Sequence, residues 1–433
     1  MARALTRRLF AQSSLATLGA GLLAPARARG QETLLRFSWW GGQDRLRRTL
    51  AAMALFEKRH PGLRTSGEAA TNGGPFWAKL ATAVAGHNAP DLYMMDYRVE
   101  QEYARRGAAL PLDQFMPSLL DLGDWPAYAR DAGKIADKTY AVSLGTNSTA
   151  ILYDRSVLEK AGIGKPSLDW TWDDYARIAI EVTKATSGKL VGTTDFAYNE
   201  YVYQTWIRQR GGELYTEDGQ LGYTADDMAD WLDYWTKLRL AGGTLRPEIQ
   251  ALDKDSIDTN GMVNRRTAMT FAYSNQFVSY QRLMQGSLGI NVDPNGPPGS
   301  PPGRYLKAAL LACVYAGSKY AEAAVRLLNF QINDPEAIKI FGVERGIPPS
   351  PKGLGIVLPS LNQSDRDIVD YVQYVAEKAS SPVPPPPPIG ATEIWQARRR
   401  TVEAVAFGMV PIGQAAKDYV RDAKRILEEE RNG

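Results

Sequence analysis

The stretch from Leu34 to Arg48, LLRFSWWGGQDRLRR, decides how the chain is read. Thr33 to Trp39 alternates apolar and polar residues, the period of a strand. Trp39 and Trp40 stand at its end, Gly41 and Gly42 turn the chain, and Gln43 to Arg59 follows as a helix with Leu46, Leu50 and Met53 on one face. His60-Pro61-Gly62 stops that helix, because a residue before proline is pushed out of the helical region. Leu63 to Ala69 reads as a second strand, Phe76 to Ala85 as a helix closed by Gly86, and Asp91 to Met95 as a short buried strand. Strand, helix, strand, helix, strand implies a parallel sheet with helical crossovers, and so an α/β fold.

The pattern recurs downstream. Tyr140 to Leu144 and Thr149 to Tyr153 are apolar strand candidates separated by a polar turn, Gly145-Thr146-Asn147-Ser148. Thr171 and Asp174 form a capping-box start, and two further helices end in Gly211-Gly212 and Gly242-Gly243. Thr267 to Phe271 and Leu306 to Val314 read as strands. From Lys319 the chain is mostly helical, interrupted by Pro348-Pro349-Ser350-Pro351 and by Pro384 to Pro388. The second interruption is an extended polyproline run, read as a stiff connector, with a motif for a proline-binding partner as the alternative.

The first thirty residues read as a leader. Arg3, Arg7 and Arg8 precede an uncharged stretch from Ser13 to Ala24, and small residues follow to Ala26-Arg27-Ala28. Thr6-Arg7-Arg8-Leu9-Phe10 resembles the twin-arginine export motif, although Ala11 and Gln12 depart from its usual Leu and Lys; ordinary secretion is the alternative. Setting this segment aside removes five arginines and no acid, leaving 46 basic against 48 acidic side chains, a formal charge of −2 instead of +3. Such a balance argues against nucleic acid or an anionic membrane as partner, since both need concentrated basic charge. No other stretch approaches the roughly 20 apolar residues that span a bilayer.

About 400 residues exceed what a single core supports, so two domains are expected. Cys313 is the chain's one cysteine and lies in an apolar run, where a buried structural thiol is the natural reading. Trp206, Trp231 and Trp235 stand at helical spacings that read as packing, and Trp172 beside its helix cap reads the same way.

Catalytic signatures are sparse. The histidines are His60 and His87, each in a polar turn at a helix end, too few and too scattered for a metal cluster or a serine-hydrolase base. G-x-S-x-G, G-x-G-x-x-G and G-x-x-x-x-G-K-[ST] are all missing. A glycoside-active enzyme would need only two facing carboxylates, for which Asp91, Asp96 and Glu393 are the candidates. No cofactor is expected.

In an open parallel sheet, ligands bind beyond the carboxyl ends of the strands. Trp39-Trp40-Gly41-Gly42 lies at such an end. An indole face stacks on the apolar face of a sugar ring, while glycines let backbone donors approach its hydroxyls. The same residues also fit one core indole, one surface indole and a plain turn. Taken alone, they allow both readings.

Three segments tip the balance. Ala89-Pro90-Asp91-Leu92-Tyr93 is followed by Gly107 and Leu110-Pro111-Leu112; Tyr140-Ala141-Val142 leads to Ile151-Leu152-Tyr153-Asp154, Lys160-Ala161-Gly162-Ile163, Pro166 and Trp172; and Ala268-Met269-Thr270 comes later. In this order they resemble the family-one extracellular solute-binding proteins of ABC transporters, the group that contains the maltodextrin receptor. The likeness continues through Glu393 to Ala415 and covers nearly the whole chain after the leader.

The resemblance implies a two-lobe periplasmic binding protein fold with a hinge and an interlobe cleft. Residues 31–146 and 306–352 would form the first lobe, and residues 147–305 and 353–433 the second. It implies a carbohydrate ligand, an ABC transporter permease as partner, a periplasmic location, a monomer and no catalysis. The same fold binding a non-sugar solute, such as glycerol phosphate or a polyamine, is the alternative.

Carried over by position, the resemblance places Asp96 and Tyr97 where the family has stacking and hydroxyl-binding groups. Asn147 matches a ligand acid, and Asn199 with Tyr201 matches another acid and an aromatic. Asn275 falls on a stacking tryptophan, so Tyr273 would supply that platform, while Trp395 matches a stacking tryptophan directly. Two acids and one indole thus become amides, which departs from a maltodextrin site. Asp96 also fits a helix cap, Tyr201 a core residue of its helix, and Arg345 either a clamp on an acidic sugar or an exposed surface arginine.

Overall fold

A computed structural model describes residues 32–432 other than 72, 254, 255 and 285; the leader at residues 1–30 lies outside the described residues. The first three strands, β1 (Thr33–Trp40), β2 (Leu63–Ala70) and β3 (Leu92–Met95), run parallel with β1 in the middle. A small hairpin of β4 (Lys134–Ile135) and β5 (Lys138–Thr139) precedes β6 (Val142–Asn147). β7 (Thr149–Asp154), β8 (Val191–Thr193), β9 (Thr267–Tyr273), β10 (Leu288–Asn291) and β11 (Lys307–Val314) complete the set.

Two sheets result. One has the order β2-β1-β3-β11-β6, with β11 antiparallel to both neighbours, and the other has the order β10-β7-β9-β8. Each carries its own core. Phe37, Trp39, Tyr93, Leu311 and Cys313 are enclosed in the first, and Trp172, Trp206, Trp231, Trp235 and Phe271 in the second. The α/β, two-lobe architecture is therefore the one implied by the motif order, and Cys313 is the buried thiol expected of its apolar run.

Side-chain alternation explains what happens to the opening stretch. Leu35, Phe37 and Trp39 share one face of β1 and are fully buried, whereas Arg36, Ser38 and Trp40 share the other. Trp40 lies half-buried against the helix Gly73–Ala85, its ring 4.8 Å from Phe76 and 5.1 Å from Trp77. The helix Gln43–Arg59 buries Thr49, Ala52, Met53 and Phe56, and Leu50 is left exposed. Two helical stripes share Met53, and the one carrying the aromatic Phe56 wins the core because it removes more apolar area from water. At the helix Trp172–Ala185, the capping box of Thr171 and Asp174 is formed as the sequence suggests.

Gly145, Thr146 and Asn147 do not turn. They continue β6 through its pairing with β11, and Ser148 alone separates β6 from β7, so the chain steps straight from one sheet to the other. It returns at Tyr305, where the Ser148 hydroxyl donates to the Tyr305 carbonyl at 3.0 Å. A third segment joins them, because Thr146 and Ile347 exchange both backbone hydrogen bonds at 2.7 and 2.9 Å. Gly145 is required there: a Cβ would sit 2.3 Å from the Arg345 carbonyl oxygen. Three segments of chain joined by backbone hydrogen bonds thus connect the two sheets, which is the form of a hinge.

Candidate functional site

The crossing strands deliver polar groups to one place. Lys307 and Asn147 are directly opposed in the antiparallel β6–β11 register, so their side chains leave the sheet on the same face. Asn147 is 3% exposed, and its amide donates to the Asn275 side-chain oxygen at 2.9 Å. Its own oxygen accepts no hydrogen bond among the described residues. Asn275 lies in the short turn Ser274–Gln276 that follows β9, of which Tyr273 is the last strand residue.

Tyr273 meets Tyr201 edge to face, with ring centroids 5.2 Å apart. Tyr201 is placed by the cap of its helix, Glu200–Arg208. The Asn199 side chain accepts from the backbone amides of Tyr201 and Val202 at 3.1 and 3.2 Å, satisfying two donors a helix start leaves open. Over both tyrosine rings lies the Lys307 ammonium, 4.4 and 4.6 Å from their centroids.

Beside this cluster the second lobe holds a cavity of about 150 Å³ whose wall includes Tyr198, Asn199, Tyr201, Asn260, Tyr273 and Gln276. Aromatic rings and amides share that wall. This composition holds an apolar ring face and bonds hydroxyls around its edge. Among the described residues no group of three metal-ligating side chains occurs.

From the first lobe, β3 ends at Met95 and is followed by Asp96 and by Tyr97 at the start of the helix Tyr97–Arg105. The Tyr97 hydroxyl donates to the Pro384 carbonyl at 2.9 Å, so the polyproline run is tied to the first lobe. Two residues before that run, the Pro382 carbonyl accepts from Arg208 of the second lobe at 2.6 Å. Burial, then the nearby Glu100 and Tyr201 side chains, pushes the Tyr97 phenol above its usual range. Below Tyr97, Glu100 is 3% exposed and burial raises its carboxyl to about 8, with the charge of Asp96 adding to the shift.

Of the residues singled out in the sequence, Asn147, Asn275, Tyr273 and Tyr201 thus form one cluster, with Asn199 as the cap that positions it. Others go elsewhere. Trp39 is enclosed in the first core and presents no face to a ligand. Gly41 and Gly42 turn the chain, but the Arg45 side chain lies across Gly41, donating to the Trp40 carbonyl at 2.9 Å and to Glu344 at 2.9 Å. Trp395 is half-buried on the helix Ala391–Ala406 and is not part of the cavity wall.

Arg345 is neither a surface arginine nor a cleft clamp. It is 2% exposed inside the first lobe, stacked 3.5 Å above the Phe341 ring, and it donates to Gln331 at 2.7 Å and Thr49 at 3.2 Å. Burial draws its pKa down to about 9. The sequence alone singles out neither Tyr198, Asn260 and Gln276 of the cavity wall nor Lys307; no motif marks the first three, and Lys307 has a weak one. Lys307 is the single charge in the otherwise apolar run from Leu306 to Val314.

Among the described residues no helix is long and apolar enough to cross a membrane. Residues 43–338 match the model of a family described as bacterial extracellular solute-binding protein. An extracellular solute-binding protein family 1 structure from Alicyclobacillus acidocaldarius is 30% identical, with a TM-score of 0.71 over 92% of this chain and 98% of that one. Two more distant structures share the fold. A periplasmic oligogalacturonide binding protein from Yersinia enterocolitica in complex with saturated digalacturonic acid is 18% identical, with a TM-score of 0.80 over 92% of this chain and 99% of that one. An ABC substrate-binding protein from Listeria monocytogenes in complex with cycloalternan is 20% identical, with a TM-score of 0.78 over the same shares of the two chains. With two sheets joined by three crossing segments and a family match over residues 43–338, the chain belongs to the bacterial extracellular solute-binding proteins.

Proposed function

We propose that this chain is the periplasmic receptor of an ABC importer, that it captures a carbohydrate between its lobes and hands it to a membrane permease. The observation that carries this reading is the tyrosine pair, Tyr201 and Tyr273, set edge to face beside amides at the mouth of a cavity. A phenol ring offers a sugar its apolar face, the Asn147 oxygen offers a hydroxyl an acceptor, and the Gln276 amide nitrogen offers a donor. The saccharide complexes of the Yersinia and Listeria neighbours support the same ligand class.

Capture works by population shift. A ligand touching only the second lobe would leave the lobe equilibrium unchanged, whereas one that also reaches Asp96 and Tyr97 favours the closed form by that added contact. Closure would be taken up at Gly145–Ser148, Tyr305–Leu306 and Arg345–Ile347, with lobes of residues 31–146 plus 306–352 and 147–305 plus 353–433. The receptor acts as a monomer, after export directed by the twin-arginine leader, and returns its ligand chemically unchanged. A thermal-shift screen of the chain without residues 1–30 against mono-, di- and oligosaccharides tests this. A native-state ligand adds about 2.7 kcal/mol at a hundredfold excess over its dissociation constant. No shift with any saccharide, or hydrolysis of the best binder, would defeat the proposal.

A further inference from the structure

Lys307 has a placement that a neutral ligand leaves unexplained. Its ammonium stands 4.4 and 4.6 Å from the centroids of Tyr201 and Tyr273, and among the described residues it makes no ion pair and no hydrogen bond. The acids near the cavity are otherwise engaged. Asp253 accepts from Thr259 at 3.2 Å and from Asn260 at 3.5 Å, and Asp293 is bonded by Thr149 with Arg304 nearby. Beside Lys307, across the strand pair, the oxygen of the buried Asn147 side chain also lacks a hydrogen bond among the described residues. A half-buried cation and a buried acceptor, side by side over an aromatic pair, are each costly to leave unmatched.

We infer that Lys307 takes the carboxylate of an acidic saccharide, a uronic acid unit whose ring packs on the tyrosines while a ring hydroxyl donates to Asn147. This inference rests on the carbohydrate reading of the same site and narrows it. A single ammonium matches a single negative charge. The neighbouring Arg208 is committed to Glu213 at 2.8 Å and to the carbonyls of Gly303 and Pro382, so it offers no guanidinium fork for a phosphate dianion. The aromatic faces beneath Lys307 hold the charge in place and strip part of its water, which strengthens its pairing with an incoming anion.

The test is calorimetric titration of the full chain and its variants with galacturonate, glucuronate and digalacturonate. Galactose, glucose and galactobiose serve as partners bearing hydroxymethyl groups in place of carboxylates, and glucose 6-phosphate as the phosphate arm. The uronates should bind more tightly than their neutral partners. Lys307→Met should weaken uronate binding roughly ten- to a hundredfold, and by at least about fivefold more than it changes binding of the neutral partners, and Lys307→Arg should restore part of the loss. An unchanged melting temperature in Lys307→Met shows that the fold is intact. Preference for the neutral partners or for glucose 6-phosphate, or uronate affinity equal in wild type and Lys307→Met, overturns the inference while leaving the carbohydrate reading standing. Binding of no saccharide at all removes both.

Discussion

Replacing Trp39 by alanine should damage the first lobe and spare the ligand site. The indole is fully buried, packed 5.0 Å from the Phe37 ring, and lies so close over β2 that a Cβ on Gly67 would approach its Cη2 to 2.6 Å. Truncating a buried tryptophan costs about 3 to 5 kcal/mol in lost burial and residual cavity. Two features reduce that figure. The Trp39 indole N–H makes no hydrogen bond among the described residues, so its removal relieves about 1 kcal/mol of desolvation, and the half-exposed Leu50 can swing into part of the space. The net loss is then about 2 to 4 kcal/mol. At roughly 2 to 4 °C per kcal/mol for a domain of this size, melting should fall by about 4 to 16 °C. The assay is thermal unfolding followed by circular dichroism, with sugar titration well below the transition. A variant that melts like wild type and yet no longer binds sugar would mean that Trp39 faces the ligand and is not a core residue.

Three further outcomes follow from the same structure. Glu200→Ala strands the Arg398 guanidinium, which is fully buried 3.0 Å from the Glu200 carboxylate; breaking such a pair should cost about 3 to 5 kcal/mol in chemical denaturation, and a loss below about 1 kcal/mol would show the pair to be dispensable. Glu100 holds its proton up to about pH 8 in the folded chain but loses it near the ordinary carboxyl range when unfolded, so stability should fall as pH rises between those values. Glu100→Gln should flatten that slope and raise the melting temperature at pH 8, and an unaltered slope would contradict it. Gly145→Ala places a Cβ against the Arg345 backbone, an unyielding neighbour, and should cost about 1 to 3 kcal/mol while changing the lobe angle seen by small-angle scattering; an unchanged melting temperature would speak against a tight crossing.

Much of this architecture is legible because its cues are local. β1, its helix, β2 and β3 follow from alternation, helical spacing and the His60-Pro61 stop, and the capping box at Thr171 is a four-residue signal. The period of two that identified β1 also decides that Trp39 and Trp40 face opposite ways, so one indole had to enter the core. What stayed hidden depends on partners far along the chain. Gly145 to Ser148 looks like a polar turn until β11 and Arg345–Ile347 arrive to pair with it, and nothing within the stretch announces them. Arg345 looks like a surface residue because Gln331, Phe341 and Thr49, which accommodate it, make no recognisable motif. Family position suggests Asn147, Asn199, Tyr201, Tyr273 and Asn275, but not Tyr198, Asn260 or Gln276, which the fold brings to the same wall, nor Lys307, which is visible only when its strand is laid beside Asn147.

On the proposed function, Tyr201 and its neighbours bind a saccharide at one site per chain. Calorimetric titration of Tyr201→Ala with the tightest-binding sugar tests it most directly, since Tyr201 is half-buried on the first turn of its helix and its loss leaves the cores intact. Removing a stacking ring of this size should weaken binding at least about tenfold, from lost burial and ring contact, with the melting temperature of the ligand-free chain unchanged. Affinity within about twofold of wild type would contradict the account.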